Sequence, residues 1–359
     1  MEEKRKLAVT PRGYDDIGKV LEGMGTGYEY TPIEWEDLCE IERLCQFEVV
    51  FINCSGECES YAYRAKTAIR RFVEQGGSLY ASDWASCFVQ SAFPERLSFS
   101  ERGGDEQNVV AKVMDAGLAE LIGNSLELHF DLPGWKTIER VGNETRIYLR
   151  GSFSVDGGKR EKDKPLLVSF DCGDGHVVYT AFHNEPQLSE KERLLLRFLV
   201  LKPITSKVAH GTRRRLITQR FSAEKENIGT INQGATSPLY SYFVPDGMNL
   251  KFMLSWRESG ANLLFSLYAP DNQLYQEKSL DTSPIILTAP LAQSGNWQYQ
   301  VKGVRVPYPN FPYVLTIGSQ PASEAKQAIA PQFKYCRSCG SRNRGEAKFC
   351  TRCGQRFSG

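Results

Sequence analysis

Four cysteines near the carboxyl end of the chain, Cys336 and Cys339 then Cys350 and Cys353, form the pattern C-x2-C, ten residues, C-x2-C. No other feature constrains local folding as strongly. Two such turns let four thiolates converge on one tetrahedral ion at about 2.3 Å, and a segment this short has too little apolar surface to fold without the metal. Gly340 and Gly354 each follow the second cysteine of a pair, where a tight turn favours a residue free to take positive φ. The segment 334–359 therefore reads as a zinc ribbon holding one structural Zn2+. All four ligands are protein atoms, which leaves no coordination position for water or substrate.

The 359 residues suggest two or three domains, and a formal net charge of +1 implies no bulk electrostatic partner. Met1 to Lys6 has charges but no apolar core of a leader, and no run of about 18 apolar residues occurs, so neither secretion nor membrane insertion is expected. The other cysteines (Cys39, Cys45, Cys54, Cys58, Cys87, Cys172) are scattered beside a thiolate metal site, which points to free thiols and a cytoplasmic, reducing compartment.

Three composition regimes follow one another. In 1–204, strand-like runs (Lys6 to Thr10, Tyr28 to Ile33, Phe47 to Asn53, Ser78 to Ser82) alternate with helical periodicity (Asp15 to Met24, Ser60 to Glu74, Ser189 to Leu201). The last helix opens with Ser189 at a cap position and Glu192 three residues later. Such alternation specifies an α/β fold with a parallel sheet covered on both faces. Residues 205–220 read as a basic linker carrying Arg213, Arg214, Arg215 and Arg220, with His210 solvated. In 221–318 period-two runs (Leu239 to Val244, Asn249 to Trp256, Leu263 to Tyr268, Trp297 to Val301) are separated by Gly, Pro, Asn and Asp, which predicts an antiparallel sandwich. A second linker, 319–333, leads into the ribbon, and no internal repeat is evident.

Four landmarks carry a resemblance in the first regime: Phe47-Glu-Val-Val-Phe-Ile-Asn-Cys54, Arg71-Phe-Val-Glu-Gln-Gly-Gly77, Ser78-Leu-Tyr-Ala-Ser82, and Gly175-His-Val-Val-Tyr-Thr-Ala-Phe-His183-Asn-Glu185. Over about 200 residues the chain resembles the class I glutamine amidotransferase-like superfamily, including its ThuA-like and other non-amidotransferase branches. The resemblance implies a doubly wound, flavodoxin-like sheet. In working amidotransferases a His-Pro-Glu-like triplet ends a strand, the histidine deprotonating a nucleophilic cysteine while the glutamate orients the imidazole. His183 and Glu185 keep those places, with Asn184 where the family has proline. The family's cysteine sits on a strand-to-helix elbow in a Gly-x-Cys-x-Gly setting. Here the stretch is Ala81-Ser-Asp-Trp-Ala85, so Asp83 stands in the sulfur's place.

A carboxylate is a poor acyl acceptor there. Asp83 is expected to share a pocket with Glu185 and to bond His183 as a remnant polar cluster. Two thiols remain as substitutes. Cys87 lies one helical turn beyond the elbow, too deep for attack, whereas Cys54 ends a strand at the carboxyl edge, where open α/β sheets bind ligands. A Cys54, His183 and Glu185 hydrolase or amidase is thus the competing reading. Against it, a cysteine at a strand end is commonly a small apolar filler. A Cys54/Cys58 redox or metal pair lacks an obvious third ligand, and His129 and His176 read as core or edge residues.

The second regime is similar to the jelly-roll-like sandwiches of bacterial pre-peptidase C-terminal domains, through Leu254-Ser-Trp256, Ala261-Asn-Leu-Leu-Phe-Ser-Leu-Tyr-Ala-Pro270 and Gly295-Asn-Trp297-Gln-Tyr299-Gln-Val301. Asn262-Leu-Leu-Phe replaces the Asp-Leu-Asp-Leu strand often found there, so no calcium site is carried over. Trp256 and Trp297 read as core aromatics. Between Lys334 and Gly359, seven basic residues (Lys334, Arg337, Arg342, Arg344, Lys348, Arg352, Arg356) face one acidic residue, Glu346, with Tyr335, Phe349 and Phe357 interleaved. That balance suits either a soluble protein-contact module or a surface for nucleic-acid phosphates and bases. The whole chain reads as a non-catalytic adaptor that holds other macromolecules, protein partners first.

Overall fold

The computed structural model describes residues 6–322, 333–336, 338–339, 341–344 and 347–357. Chain order begins β1 (Leu7–Val9), α1 (Ile17–Met24), β2 (Tyr30–Pro32), α2 (Ile41–Leu44), β3 (Val49–Ile52), α3 (Cys58–Glu74), β4 (Ser78–Ser82) and α4 (Ser86–Ala92). There follow β5 (Leu97–Gly104), β6 (Gln107–Val113), α5 (Ala116–Ile122), β7 (Ser125–Phe130), β8 (Trp135–Val141), β9 (Arg146–Val155), β10 (Lys159–Cys172), β11 (Gly175–Thr180) and α6 (Glu190–Thr218).

These strands make one mixed sheet in the order β2-β1-β3-β4-β11-β10-β9-β5-β8, with β6 joining β7 to β9. The β2-β1-β3-β4-β11 half is parallel. Its central strands are apolar on both faces, as strands covered on two sides must be: every residue of β3 and β11 is buried. Helix α3 covers them with Ala62, Ala65, Ile69, Phe72 and Val73 on one stripe. The other half, β5 to β10, is antiparallel, and β6 and β7 bury alternate residues. Its centre is aromatic, Trp135 lying 4.1 Å from Phe130 and 4.6 Å from Phe153 between ring centroids. The sequence expectation of a purely parallel sheet omitted this half, whose strands follow one another with a single seven-residue helix, α5, among them.

A second unit pairs two four-stranded antiparallel sheets. One is β12 (Ser222–Ile231), β19 (Phe311–Pro321), β14 (Met248–Ser255) and β17 (Ile285–Ala292); the other is β13 (Tyr240–Val244), β18 (Gly295–Arg305), β15 (Asn262–Tyr268) and β16 (Leu274–Leu280). Their inner faces share one core containing Trp256, Phe252, Phe265, Trp297 and Tyr299. Two short strands, β20 (Phe333–Tyr335) and β21 (Arg342–Arg344), pair near the cysteines. Residues 319–321, assigned to a linker from sequence, continue β19, and 323–332 of that linker lie outside the described residues.

The basic stretch 205–220 is no linker either, because it completes α6. Ser189 and Glu192 close a capping box at its start. Ala209, Thr212 and Leu216 bury one face, so the positive charges that suggested a solvated connector flank an apolar stripe. Arg213 turns inward to Asp171 at 3.2 Å and Glu226 at 3.1 Å. Glu226 also accepts from Lys202 at 2.7 Å, and Asp171 from His176 at 2.6 Å. His210, expected in solvent, lies 3.9 Å from Asp171. This network seals the two-sheet unit onto the α/β domain. Tyr28 reinforces it by donating to the Asn310 carbonyl at 2.5 Å.

Burial alone would raise the Glu226 carboxyl, yet the ammonium of Lys202 and guanidinium of Arg213 hold it well below the ordinary range; Asp171 is held down similarly by His176 and Arg213. A depressed carboxylate contributes stability above its unfolded pKa of about 4, lost as pH falls below that. Glu226→Gln, leaving the buried Lys202 ammonium without its carboxylate while Arg213 keeps Asp171, is expected to cost about 3–5 kcal/mol at pH 7 by urea unfolding. That deficit should persist down to pH 5 and shrink below pH ~4; a pH-independent deficit would show that lost packing, not charge, is the cause.

Candidate functional site

The parallel strands end on one edge of the sheet, and four of those ends supply the site. Asp15 follows β1, Cys54 follows β3, Asp83 follows β4, and His183 follows β11. Their convergence comes from topology: parallel strands expose their carboxyl ends together.

Asp83 occupies a strand-to-helix elbow at φ +43°, a conformation an L-residue adopts only at a cost, though aspartate tolerates it better than most. Oδ1 accepts from the backbone N–H of Lys136 at 2.6 Å, and Oδ2 lies 3.1 Å from His183 Nε2. The Cys54 thiol donates to the same Oδ2 at 3.6 Å, and the Tyr179 hydroxyl donates to the Asp83 carbonyl at 3.0 Å. Both side chains are nearly closed to solvent, Asp83 at 3% and His183 at 5% exposure. On the other side of the imidazole, Nδ1 lies 3.0 Å from Asp131 Oδ1. Burial disfavours the imidazolium, but Asp83, then Asp15 and Asp131, more than offset it and raise His183 to about 9. The ring is therefore cationic at neutral pH, clasped between two carboxylates. The gap beside it, walled by Phe130, Leu132, Trp135 and Phe182, has no room for a water molecule.

Glu185 is not part of this cluster. Sequence reasoning placed it beside Asp83 as the group that orients the imidazole; instead it faces outward to Arg12 and Lys19, with Arg12 Nη2 3.4 Å from Oε1. Asn184, standing where the resembled family has proline, explains the difference. Its backbone and side-chain amides donate to Asp15 at 2.9 and 2.7 Å, and its Oδ1 accepts from the Tyr80 hydroxyl at 3.0 Å. That anchorage turns the following glutamate away. Asp131 takes the orienting place. It comes from the loop after β7, in the half of the sheet that carried no sequence signal, and only a histidine facing an aspartate across 52 residues would have revealed it.

Of the substitute nucleophiles, Cys54 touches Asp83 and makes no hydrogen bond to His183. Burial, and then the Asp83 charge, push its thiol far above the ordinary cysteine range. Cys58 is buried and donates to the Asn53 carbonyl at 3.8 Å, while Cys87 sits on α4. His176 is buried against Asp171 and His129 is exposed on β7, where Gln187 bonds its backbone.

The carboxyl-terminal cysteines do come together. Cys336, Cys339, Cys350 and Cys353 place their sulfurs within 4.8 Å of one another, with Cys336–Cys353 at 3.5 Å and Cys339–Cys350 at 3.6 Å. A tetrahedral ion with 2.3 Å sulfur bonds needs edges of about 3.8 Å, so this set can hold a metal ion. Lys348, Phe349, Arg352 and Arg356 are exposed around it; Arg337, Gly340 and Glu346 lie outside the described residues, as do the side chains of Lys334, Tyr335, Arg342 and Arg344. No helix among the described residues is long and apolar enough to cross a membrane.

No protein-family model matches the chain, and no curated protein matches it. Solved structures with a related course of the chain include a Thermoplasma acidophilum protein assigned to GMP synthase (10% identity, 60% of this chain and 100% of that one, TM-score 0.43). PurLQS from Thermotoga maritima matches at 12% identity over 58% of this chain and 99% of that one, TM-score 0.41. A glutamine amidotransferase from Methylobacillus flagellatus matches at 12% over 55% and 77%, TM-score 0.37. Identities and scores of this size leave the functional reading to the chain's own geometry.

Two outcomes follow for the cysteines. Because the thiolate is the reactive form, Cys54 should alkylate with iodoacetamide at pH 8 at least about 100-fold more slowly than exposed Cys45; comparable rates by peptide mass spectrometry would mean the thiol is activated. A strong chelator should expose 333–357 to protease while 6–322 resists; identical digestion with and without chelator would count against a metal-held segment.

Proposed function

We propose that this chain is a non-catalytic scaffold: a flavodoxin-like, amidotransferase-like domain whose reaction centre has been lost, joined to a β-sandwich and a zinc ribbon that hold other macromolecules. One observation carries the reading. The elbow presents a carboxylate, not a thiolate, and that carboxylate is satisfied by the Lys136 amide, His183 and Cys54 with no water-sized space before it. The hydrolase alternative needs Cys54, His183 and Glu185 in line. Asp83 stands between the first two, and Glu185 faces Arg12 and Lys19. Four sulfurs at tetrahedral spacing support one structural Zn2+ in the ribbon.

A protein is the first partner we assign to the sandwich and ribbon. Nucleic acid is the rival, supported by the exposure of Lys348, Arg352 and Arg356 around Phe349, which is 55% exposed. Two measurements test the reading. Incubated with a diazoketone analogue of glutamine, the full chain should gain no covalent mass; an adduct on Cys54 would restore the hydrolase. In mobility shifts with single-stranded oligonucleotides at low salt the chain should not bind; binding that weakens steeply with salt would make the ribbon a nucleic-acid module.

A further inference from the structure

Cys54, Asp83 and His183 bring three different donor atoms to one point. Sγ, a carboxylate oxygen and an imidazole nitrogen all lie within 4.8 Å of one another, and all three residues are buried. The measured edges are 3.6 Å from sulfur to oxygen and 3.1 Å from nitrogen to oxygen. A tetrahedral Zn2+ with bonds of about 2.3 Å to sulfur and 2.0–2.1 Å to nitrogen and oxygen requires edges of about 3.3–3.6 Å between such ligands. Two of the three edges are thus close to those of a metal site, and the sulfur-to-nitrogen edge, within 4.8 Å, is the one that would have to shorten on binding.

The surroundings fit as well. Asp131 Oδ1 sits 3.0 Å from His183 Nδ1, the carboxylate-histidine arrangement that aims Nε2 at a metal. Asp83 and Asp131 contact the one imidazole from opposite sides, so carboxylates outnumber cationic groups at the cluster. The elbow at φ +43° fixes the Asp83 carboxylate where the other two ligands reach it. Asp131, with 35% of its side chain in solvent, stands at the rim of the cluster.

We propose that Cys54, Asp83 and His183 form a second metal site, selective for a borderline-soft divalent d-block cation such as Zn2+. The mixed sulfur, nitrogen and oxygen set selects against Mg2+ and Ca2+, which prefer all-oxygen shells. Binding displaces the thiol proton of Cys54 and the Nε2 proton of His183 to solvent, with no change of oxidation state. The ion would clasp the ends of β3, β4 and β11.

The test uses the full chain with Cys350→Ser and Cys353→Ser, which disables the terminal cluster. Stripped and reloaded with Zn2+ or Co2+, this chain should keep one ion, against two for the unaltered chain, by elemental analysis, and should ignore Mg2+ and Ca2+. Adding His183→Ala should remove the remaining ion. Adding Cys54→Ser, which preserves size and a hydrogen-bond donor, should abolish the thiolate-to-cobalt charge-transfer band even if some cobalt stays bound. Asp131→Asn should weaken binding about 10–100-fold. A folded terminal-cluster variant that holds no ion, or one whose cobalt spectrum is unchanged by Cys54→Ser, would overturn the proposal and leave a hydrogen-bonded ion triad.

Discussion

The Asp83 carboxylate is the bond on which the α/β domain's working edge is assembled. It issues from the parallel half of the sheet and accepts from the Lys136 amide in the antiparallel half, so it ties the two halves across the site. Through His183 it reaches Asp131 in the loop before β8, and through Cys54 it reaches the end of β3. A buried carboxylate is stable only when its oxygens are matched by donors, and here the donors come from three separate stretches of chain. The strained backbone at the elbow persists because so many partners determine it.

An elbow of this kind serves a nucleophile when the side chain is exposed and its neighbour is a free base. Neither condition holds. The aspartate is covered, and the base is a cation shared between two acids. The same geometry gathers sulfur, oxygen and nitrogen donors into one buried cluster.

Much of this was legible in the sequence where one local rule dominated. Ser78 to Ser82 and the Ser189/Glu192 cap are recorded in a few adjacent residues, and the four terminal cysteines announce themselves by spacing. Asp83 and His183 stood out because a recognisable elbow and strand end flank them. Asp131 did not, since an aspartate before Leu-Pro-Gly looks like an ordinary turn until the fold lays it over the imidazole. Glu185 misled for the opposite reason: its distance from His183 matched a familiar triplet, while Asn184 redirected the chain by bonding Asp15 and Tyr80. Arg213 of α6 looked solvated because its acidic partners, Asp171 and Glu226, lie 42 and 13 residues away.

Helix α6 runs for 29 residues, about 43 Å, with Pro203 in its interior, from the edge of the large sheet to the two-sheet unit. It carries contacts to both along the way. A molecule gripping the far sheets and another gripping the α/β face would accordingly be held apart by the length of this one helix, with Pro203 the place along it where the backbone ladder lacks a donor.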